Sequence, residues 1–260
     1  MSASRLQLGS IGRAFNGVPV LEHIDLDVAP GAMLGLIGPN GAGKTTLFNI
    51  LSGFVSADSG SLRLDGQDIG RMSPRARSRA GVVRTFQKSL VFPSLTVRDN
   101  VAMALRAAAG TGYRWWGGPS ARLAADTQAR ALLGQSGLAA RIDALAADLS
   151  YGEQRLLDIV IALAQTPRVL LLDEPTAGLS QAEAQQVLGL VSAHRADAAV
   201  VLISHDIDIV FGVCERVAVL DLGRLIAIDT PAAIRADARV LSAYLGMPAA
   251  TLADPLEQAA

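Results

Sequence analysis

The sequence predicts an α/β fold built on a parallel sheet, and three observations carry that expectation. The first is the apolar run Met33-Leu34-Gly35-Leu36-Ile37, then GPNGAGKTT at 38–46, then Leu47-Phe48-Asn49-Ile50-Leu51 without a breaker. That order reads as strand, glycine loop and helix. The second and third are Val169-Leu170-Leu171-Leu172 and Val200 to Ile203, short apolar runs of the kind buried on both faces of a sheet. Each delivers polar residues at its carboxyl end, Asp173-Glu174 and Ser204-His205-Asp206, where α/β sheets place ligands.

At 260 residues the chain is long enough for one α/β domain with a small subdomain and a large core. Half of its residues are hydrophobic, yet no unbroken apolar run approaches the roughly 20 residues of a membrane span. A net charge of −1 gives no electrostatic footprint for nucleic acid, and no nucleic-acid partner is expected. Lys44 and Lys88 are the two lysines, which makes Lys44 conspicuous. A single cysteine, Cys214, excludes an intrachain disulfide and reads as inert core in a reducing compartment. The opening MSASRLQLGS carries no apolar h-region, so the expectation is a cytosolic chain that docks on a membrane if its function requires it.

In chain order, Leu6 and Leu8 alternate as in a half-exposed strand over Arg5 to Ile11. Phe15 precedes a turn at Asn16-Gly17, and Ile24, Leu26 and Val28 alternate with Asp25 and Asp27 in a second strand. Ser61 to Leu64 leads into the turn Asp65-Gly66, which suits an antiparallel edge. The arginines at 71, 75, 77, 79 and 84 read as a solvated face, and Gly81 to Gln87 as a short strand with a polar end. Val101, Ala104, Leu105 and Ala108 recur at helical spacing up to Gly110. Thr111 to Ser120 is rich in breakers and holds Trp115 and Trp116; helices are expected over 121–133 and 138–145. Ser150 is placed to cap a helix running to Ala164, which Pro167 ends. A helix over 181–194, a hairpin around Asp221-Leu222-Gly223 and a helix over 234–245 complete the pattern, and the tail beyond Pro248 reads as frayed.

The loop carries the chemistry. Gly38, Gly43, Lys44 and Thr45 fill the fixed places of G-x-x-x-x-G-K-[ST], between a strand and a helix as that motif requires. Its glycines let backbone N–H groups of Gly38, Asn40, Gly41, Ala42 and Gly43 close on phosphate oxygens, with Pro39 in the same loop. The helix start, with Thr46 in its first turn, adds the positive end of its dipole. Lys44 is placed for the β- and γ-phosphates and the Thr45 hydroxyl for Mg²⁺. A nucleoside triphosphate is therefore the expected ligand. Asp173 suits Mg²⁺ through a water, and Glu174 suits the water that attacks the γ-phosphate. Gln87 and His205 each leave a strand and could reach the metal, the water or the γ-phosphate. Taken alone, each is more often a structural polar residue. His23 and His194 read as surface or packing residues.

Together these residues resemble the ATP-binding subunits of ABC transporters over nearly the whole chain. GPNGAGKTT is similar to the family's Walker A, Gln87 to its Q-loop glutamine, LSYGEQ at 149–154 to its signature, VLLLDEP to its Walker B with catalytic glutamate, Thr176 to Ser180 to its D-loop, and His205 to its switch histidine. The resemblance implies a P-loop NTPase fold with a parallel core sheet, an antiparallel β-subdomain and a helical subdomain. Expected boundaries are a nucleotide-binding core over 1–88 and 158–232, a helical subdomain over 89–157 and a C-terminal helix and tail over 233–260. It implies ATP and Mg²⁺, with Gln87 joining Thr45 and Asp173 at the metal, and Phe15 stacking on adenine. It implies two ATPase chains head to tail, so that Ser150, Gly152 and Glu153 of one complete the phosphate pocket of the other. It also implies two transmembrane permease subunits, a periplasmic solute-binding protein, and a place at the cytoplasmic face of the bacterial inner membrane. Gln87 to Leu105, including Arg98, is the segment expected to receive the permease.

Three departures stand out: Tyr151 replaces the usual glycine of the signature, Ser180 the D-loop aspartate, and Phe15 the usual tyrosine. A finer resemblance, carried by GVVRTFQ, the 113–116 linker, AGLS and Leu241 to Gly246, is to the LivG-type ATPase of branched-chain amino acid importers, whose relatives also serve urea and amides. A soluble ABC ATPase of translation or DNA repair would carry two phosphate loops or sustained heptads, and neither is present. A small-molecule kinase would lack LSYGEQ.

Overall fold

The computed structural model describes residues 4–86, 90–109, 119–195 and 197–245. The first elements are β1 (Leu6–Phe15), β2 (Val18–Val28), β3 (Met33–Ile37), α1 (Lys44–Ser52), β4 (Ser59–Leu64) and β5 (Gln67–Asp68). Next come α2 (Pro74–Arg79), β6 (Val82–Arg84), α3 (Val97–Ala108), α4 (Pro119–Ser136), α5 (Tyr151–Ala164), β7 (Val169–Asp173) and α6 (Gln181–His194). The chain ends with β8 (Ala199–Ile203), α7 (Ile207–Val213), β9 (Arg216–Asp221), β10 (Arg224–Asp229), α8 (Pro231–Ala236) and α9 (Ala238–Leu245). Its contacts divide it into two compact units, residues 75–198 and the remainder.

In the unit formed by residues 4–74 and 199–245, β3 runs parallel to both β8 and β9, with Leu36 opposite Ile203 on one side and Ala218 on the other. All five residues of β3 and of β8 are buried, which is why both read as unbroken apolar runs. A second, antiparallel sheet has the order β2-β1-β4-β5. The hairpin at Asn16-Gly17 has both residues at positive φ (51° and 81°), the twist-matched turn an Asn-Gly pair favours. Both hairpin strands run longer than their alternation suggests, because register shifts after Leu8, Ile11 and Arg13 interrupt the period of two. The terminal helix expected over 234–245 is two helices. Thr230 caps the first, with Pro231 at its start, and Asp237 breaks the run with an extended backbone before α9. Helix α7 has no strong sequence signal; Asp206 caps it through the Ile209 N–H.

In the unit formed by residues 75–198, β6 and β7 pair in parallel, with Val82 opposite Val169 and Arg84 opposite Leu171. Helix α3 packs on α4 and α5, and α5 on α6. The helix expected over 138–145 is instead two short 3-10 turns, Ala139–Arg141 and Ala146–Asp148, since neither stretch has the length to propagate an α-helix. The arginine-rich stretch is only partly a solvated face, because Arg77 of α2 is buried. Arg98 is likewise committed inside the unit: its guanidinium meets Asp126 and Asp143, each at 3.0 Å.

Asn100, buried on α3, organises the loop ahead of that helix. Its Oδ1 accepts from Phe92 N–H at 2.8 Å, and its Nδ2 donates to the carbonyls of Phe92 at 3.1 Å and Thr96 at 3.0 Å. Thr96 caps the helix through Asp99 N–H. Leu90 and Phe92 remain exposed on the loop so held. Asn100→Ala strips several buried backbone groups of their partner and should destabilise the chain by roughly 1–3 kcal/mol in urea unfolding. Asn100→Asp should not recover it, because a carboxylate buried there donates to neither carbonyl and is repelled by both.

Candidate functional site

The phosphate loop leaves the carboxyl end of β3 and closes on α1. Gly38 (φ 153°), Gly41 (φ 83°) and Gly43 (φ 106°) carry the backbone through regions that L-residues avoid. Gly38 also has a steric reason: a Cβ there would lie 2.0 Å from the Leu220 carbonyl oxygen of β9. The β9–β10 hairpin supports the loop from the same side, with Gly223 N–H donating to the Ala42 carbonyl at 3.0 Å. Helix α1 opens at Lys44 behind Gly43 with no side-chain cap. Its first-turn N–H groups are thus left to an anion, which the helix dipole favours. Lys44, mostly buried, turns its ammonium back across the loop to the carbonyls of Gly38 at 2.6 Å and Pro39 at 2.9 Å. Asn40, Gly41 and Thr45 are exposed and Thr46 half-buried.

Two other predicted residues belong to this unit. His205 is exposed one residue beyond Ser204 at the end of β8, the strand beside β3, so the loop and His205 leave neighbouring parallel strands at the same end. Ser204 Oγ accepts from Asp206 N–H, and Asp206 caps α7, which pins His205 from both sides. Phe15 ends β1 with its ring 41% exposed, enough for stacking, and the Arg13 guanidinium stands 4.6 Å from its centroid.

The unit of residues 75–198 carries the remaining candidates. Gln87 lies outside the described residues; Thr85 and Phe86 before it lead out of β6. Asp173, the last residue of β7, is buried and pairs through Oδ2 with Arg84 at 2.8 Å. Glu174 follows with a positive φ of 50° and is also buried. That left-handed turn costs a non-glycine residue on the order of 1–2 kcal/mol, so its surroundings must hold it there. Among the described residues no cluster of His, Cys, Asp or Glu forms a metal cage. Thr45 in one unit offers a hydroxyl and Asp173 in the other a carboxylate, each a hard oxygen of the kind Mg²⁺ accepts.

Helix α5 begins at the signature. Ser150 Oγ accepts from Glu153 N–H at 3.2 Å, while Glu153 Oε2 accepts from Ser150 N–H at 2.8 Å, a closed capping box. Ser180 builds the same box with Glu183 at the start of α6, and its hydroxyl donates to Glu183 at 2.7 Å. The serine in place of a D-loop aspartate therefore preserves the helix cap. Tyr151 donates its hydroxyl to the Ala177 carbonyl at 3.1 Å, and its ring lies beside Gly178. Glu183 lies over Gly152, where a Cβ would meet its Oε1. The signature and the segment after Glu174 are thus in direct contact within this unit.

Arg84, expected with its neighbours on a solvated face but buried in an ion pair, and Arg155, which sequence reasoning passed over, hold these parts. Arg84 partners Asp173. Arg155, 2% exposed on α5, donates to the carbonyls of Phe86 at 2.6 Å, Glu174 at 2.7 Å, Asp173 at 3.3 Å and Pro175 at 3.3 Å. The available signal was an Arg155/Asp158 pair set in the otherwise apolar run LLDIVIALA. His194 spans Leu190 O and Gln135 Oε1, a packing role, and Cys214 is buried.

Glu153 supplies a pH signature. The Ser150 N–H, with Arg141 assisting, holds its carboxyl below the ordinary 4.5 against the opposing effect of burial. A depressed carboxylate stabilises the fold fully above its unfolded value and loses that contribution as pH falls through its folded value. Thermal midpoints measured from about pH 6 down to about pH 3 should fall less steeply for Glu153→Gln than for the wild type.

Comparison with known proteins agrees with this geometry. Residues 21–177 match the family model described as ABC transporter, and residues 224–246 the model described as branched-chain amino acid ATP-binding cassette transporter. The chain is 35% identical over 95% of its length and 99% of the relative's to the high-affinity branched-chain amino acid transport ATP-binding protein LivG of Escherichia coli (strain K12). It is 34% identical, with the same coverage, to BraF of Pseudomonas aeruginosa, and 34% identical over 91% of its length and 95% of the relative's to the lipopolysaccharide export ATP-binding protein LptB of Escherichia coli (strain K12). Among solved structures, a nucleotide-free ATP-binding cassette of an ABC transporter superposes with a TM-score of 0.80 at 26% identity, over 94% of this chain and all of that one. An ADP-bound cassette superposes equally well, over 94% of this chain and 99% of that one. With a family model matched over more than half of the chain and relatives aligned over nearly all of it, the chain belongs to the ABC transporter family, as an ATP-hydrolysing subunit.

Proposed function

We propose that the chain is the ATPase of an importer for branched-chain or similar small amino acids, held at the cytoplasmic face of the bacterial inner membrane. It works there with a second ATPase subunit, two permeases and, through them, a periplasmic binding protein. The observation that carries the cargo assignment is the match of residues 224–246 to the branched-chain amino acid C-terminal model, at the end of a chain that aligns with LivG over nearly its full length. No described helix is long and apolar enough to cross a membrane, so permeation falls to other subunits.

In this reading Lys44 neutralises β- and γ-phosphate oxygens, and the amides of the 38–46 loop and α1 complete the cradle. Phe15 stacks on the base. Thr45, Asp173 and Gln87 would hold Mg²⁺, which supplies charge neutralisation on the phosphates when bound. Glu174 orients or deprotonates the attacking water, and His205 contacts the γ-phosphate. Ser150 donates its hydroxyl, and Gly152 and Glu153 shape the helix start, toward nucleotide on a second ATPase chain. Closure of the two chains on ATP moves the permeases, and hydrolysis releases them. The core is residues 1–88 and 158–232, with 89–157 as the helical part that meets the permease.

A second reading is export of a lipid-linked substrate, favoured by the comparable identity to LptB. One experiment separates the two. Tagged Glu174→Gln protein, with ATP, is used to capture its complex from gently solubilised native membranes. Two permeases and a second ATPase, together with loss of leucine uptake in cells lacking this chain, is the expected result. Capture of lipopolysaccharide-export components would establish the second reading, and full ATPase activity in Glu174→Gln would remove the catalytic assignment.

A further inference from the structure

We propose that Arg155 is the positioning residue for Glu174. The proposal rests on the reading of Glu174 as the group that acts on the attacking water. Two strand ends meet at this point: β6 leaves through Phe86 and β7 through Asp173, and the backbone turns left-handed at Glu174. Their carbonyls have passed the end of the β6–β7 ladder and need other donors. Arg155 supplies them from one planar group: Nη1 serves Phe86, Nη2 serves Asp173 and Glu174, and Nε serves Pro175. The shortest two bonds, 2.6 Å and 2.7 Å, go to Phe86, two residues beyond β6, and to Glu174 itself. With its own carbonyl and both neighbours held, the Glu174 Cα–Cβ direction is set by a guanidinium that is itself 2% exposed.

Asp158, one turn further along α5, extends the clamp. It lies 3.6 Å from Arg155 Nη1 and accepts the Leu90 N–H at 3.2 Å. A single face of α5 therefore grips the chain at residues 86 and 90 and at residues 173–175. The first turn of the same helix carries Ser150, Gly152 and Glu153. No other side chain could make this set of bonds. Lysine offers a point charge with three donors and no rigid fork, so it reaches one or two of the four carbonyls.

The test uses the full-length chain with Mg-ATP and the variants Arg155→Lys, Glu174→Gln and their combination. Misplacing a catalytic group costs turnover and leaves ground-state binding alone, so Arg155→Lys should lose about tenfold or more in kcat with KM for ATP within about twofold. The two substitutions should be strongly non-additive: Arg155→Lys in the Glu174→Gln background should change the residual rate by less than about twofold. Binding stoichiometry for a fluorescent ATP analogue should stay at the wild-type value. Amide exchange without nucleotide should rise in residues 173–178 and remain unchanged in 38–46.

Four outcomes overturn the proposal. They are wild-type kcat in Arg155→Lys, kcat and KM shifting together, additive losses in the double variant, or lost analogue binding, the last marking Arg155 as a general structural rivet. A Glu174→Gln chain with full turnover overturns the catalytic reading and the proposal together. An inactive Glu174→Gln with a wild-type Arg155→Lys overturns the proposal alone.

Discussion

A strand buried on both faces leaves no room for chemistry along its length, and this constraint shapes the molecule. Every residue of β3, β7 and β8 is buried, so all three must be apolar almost throughout. The polar residues that such a strand positions are pushed to its carboxyl end, where the backbone leaves the sheet. The phosphate loop, Asp173-Glu174 and Ser204-His205 all occupy such ends. Their precision comes from the ladder behind them, which fixes where each turn starts.

Leaving a ladder also strands backbone groups, and the chain answers that problem differently at each helix start. Helix α1 has no side-chain cap, so its N–H groups remain for an anion. Helices α5 and α6 are closed by reciprocal Ser–Glu boxes. In both, the serine hydroxyl accepts from the backbone N–H three residues on, and the glutamate accepts from the serine's own N–H.

Two departures from the family pattern find physical roles in the same unit. Tyr151, where a glycine is usual, spends its hydroxyl on Ala177 and its ring on Gly178. Ser180 keeps the cap that an aspartate would make. The signature helix and the turn after Glu174 are therefore linked by Tyr151, by Glu183 over Gly152, and by Arg155 beneath them.

By itself the sequence determined the α/β class, the phosphate loop and its helix, the buried strands with their polar ends, the Ser150 cap and the family. Each of these depends on local physics: glycine's dihedral freedom, apolar runs of strand length, or a capping residue at a fixed offset. Where local signals were weak or interrupted, the reading failed, as at the bulged β1–β2 hairpin, the 3-10 turns over 139–148 and the break at Asp237. Only the tertiary structure decided which charged residues are buried. Arg77, Arg84 and Arg155 look in sequence like any other arginines, and whether a guanidinium faces water or four carbonyls depends on segments many residues away. Such a partner set is written in the packing of distant elements, and no window of sequence contains it.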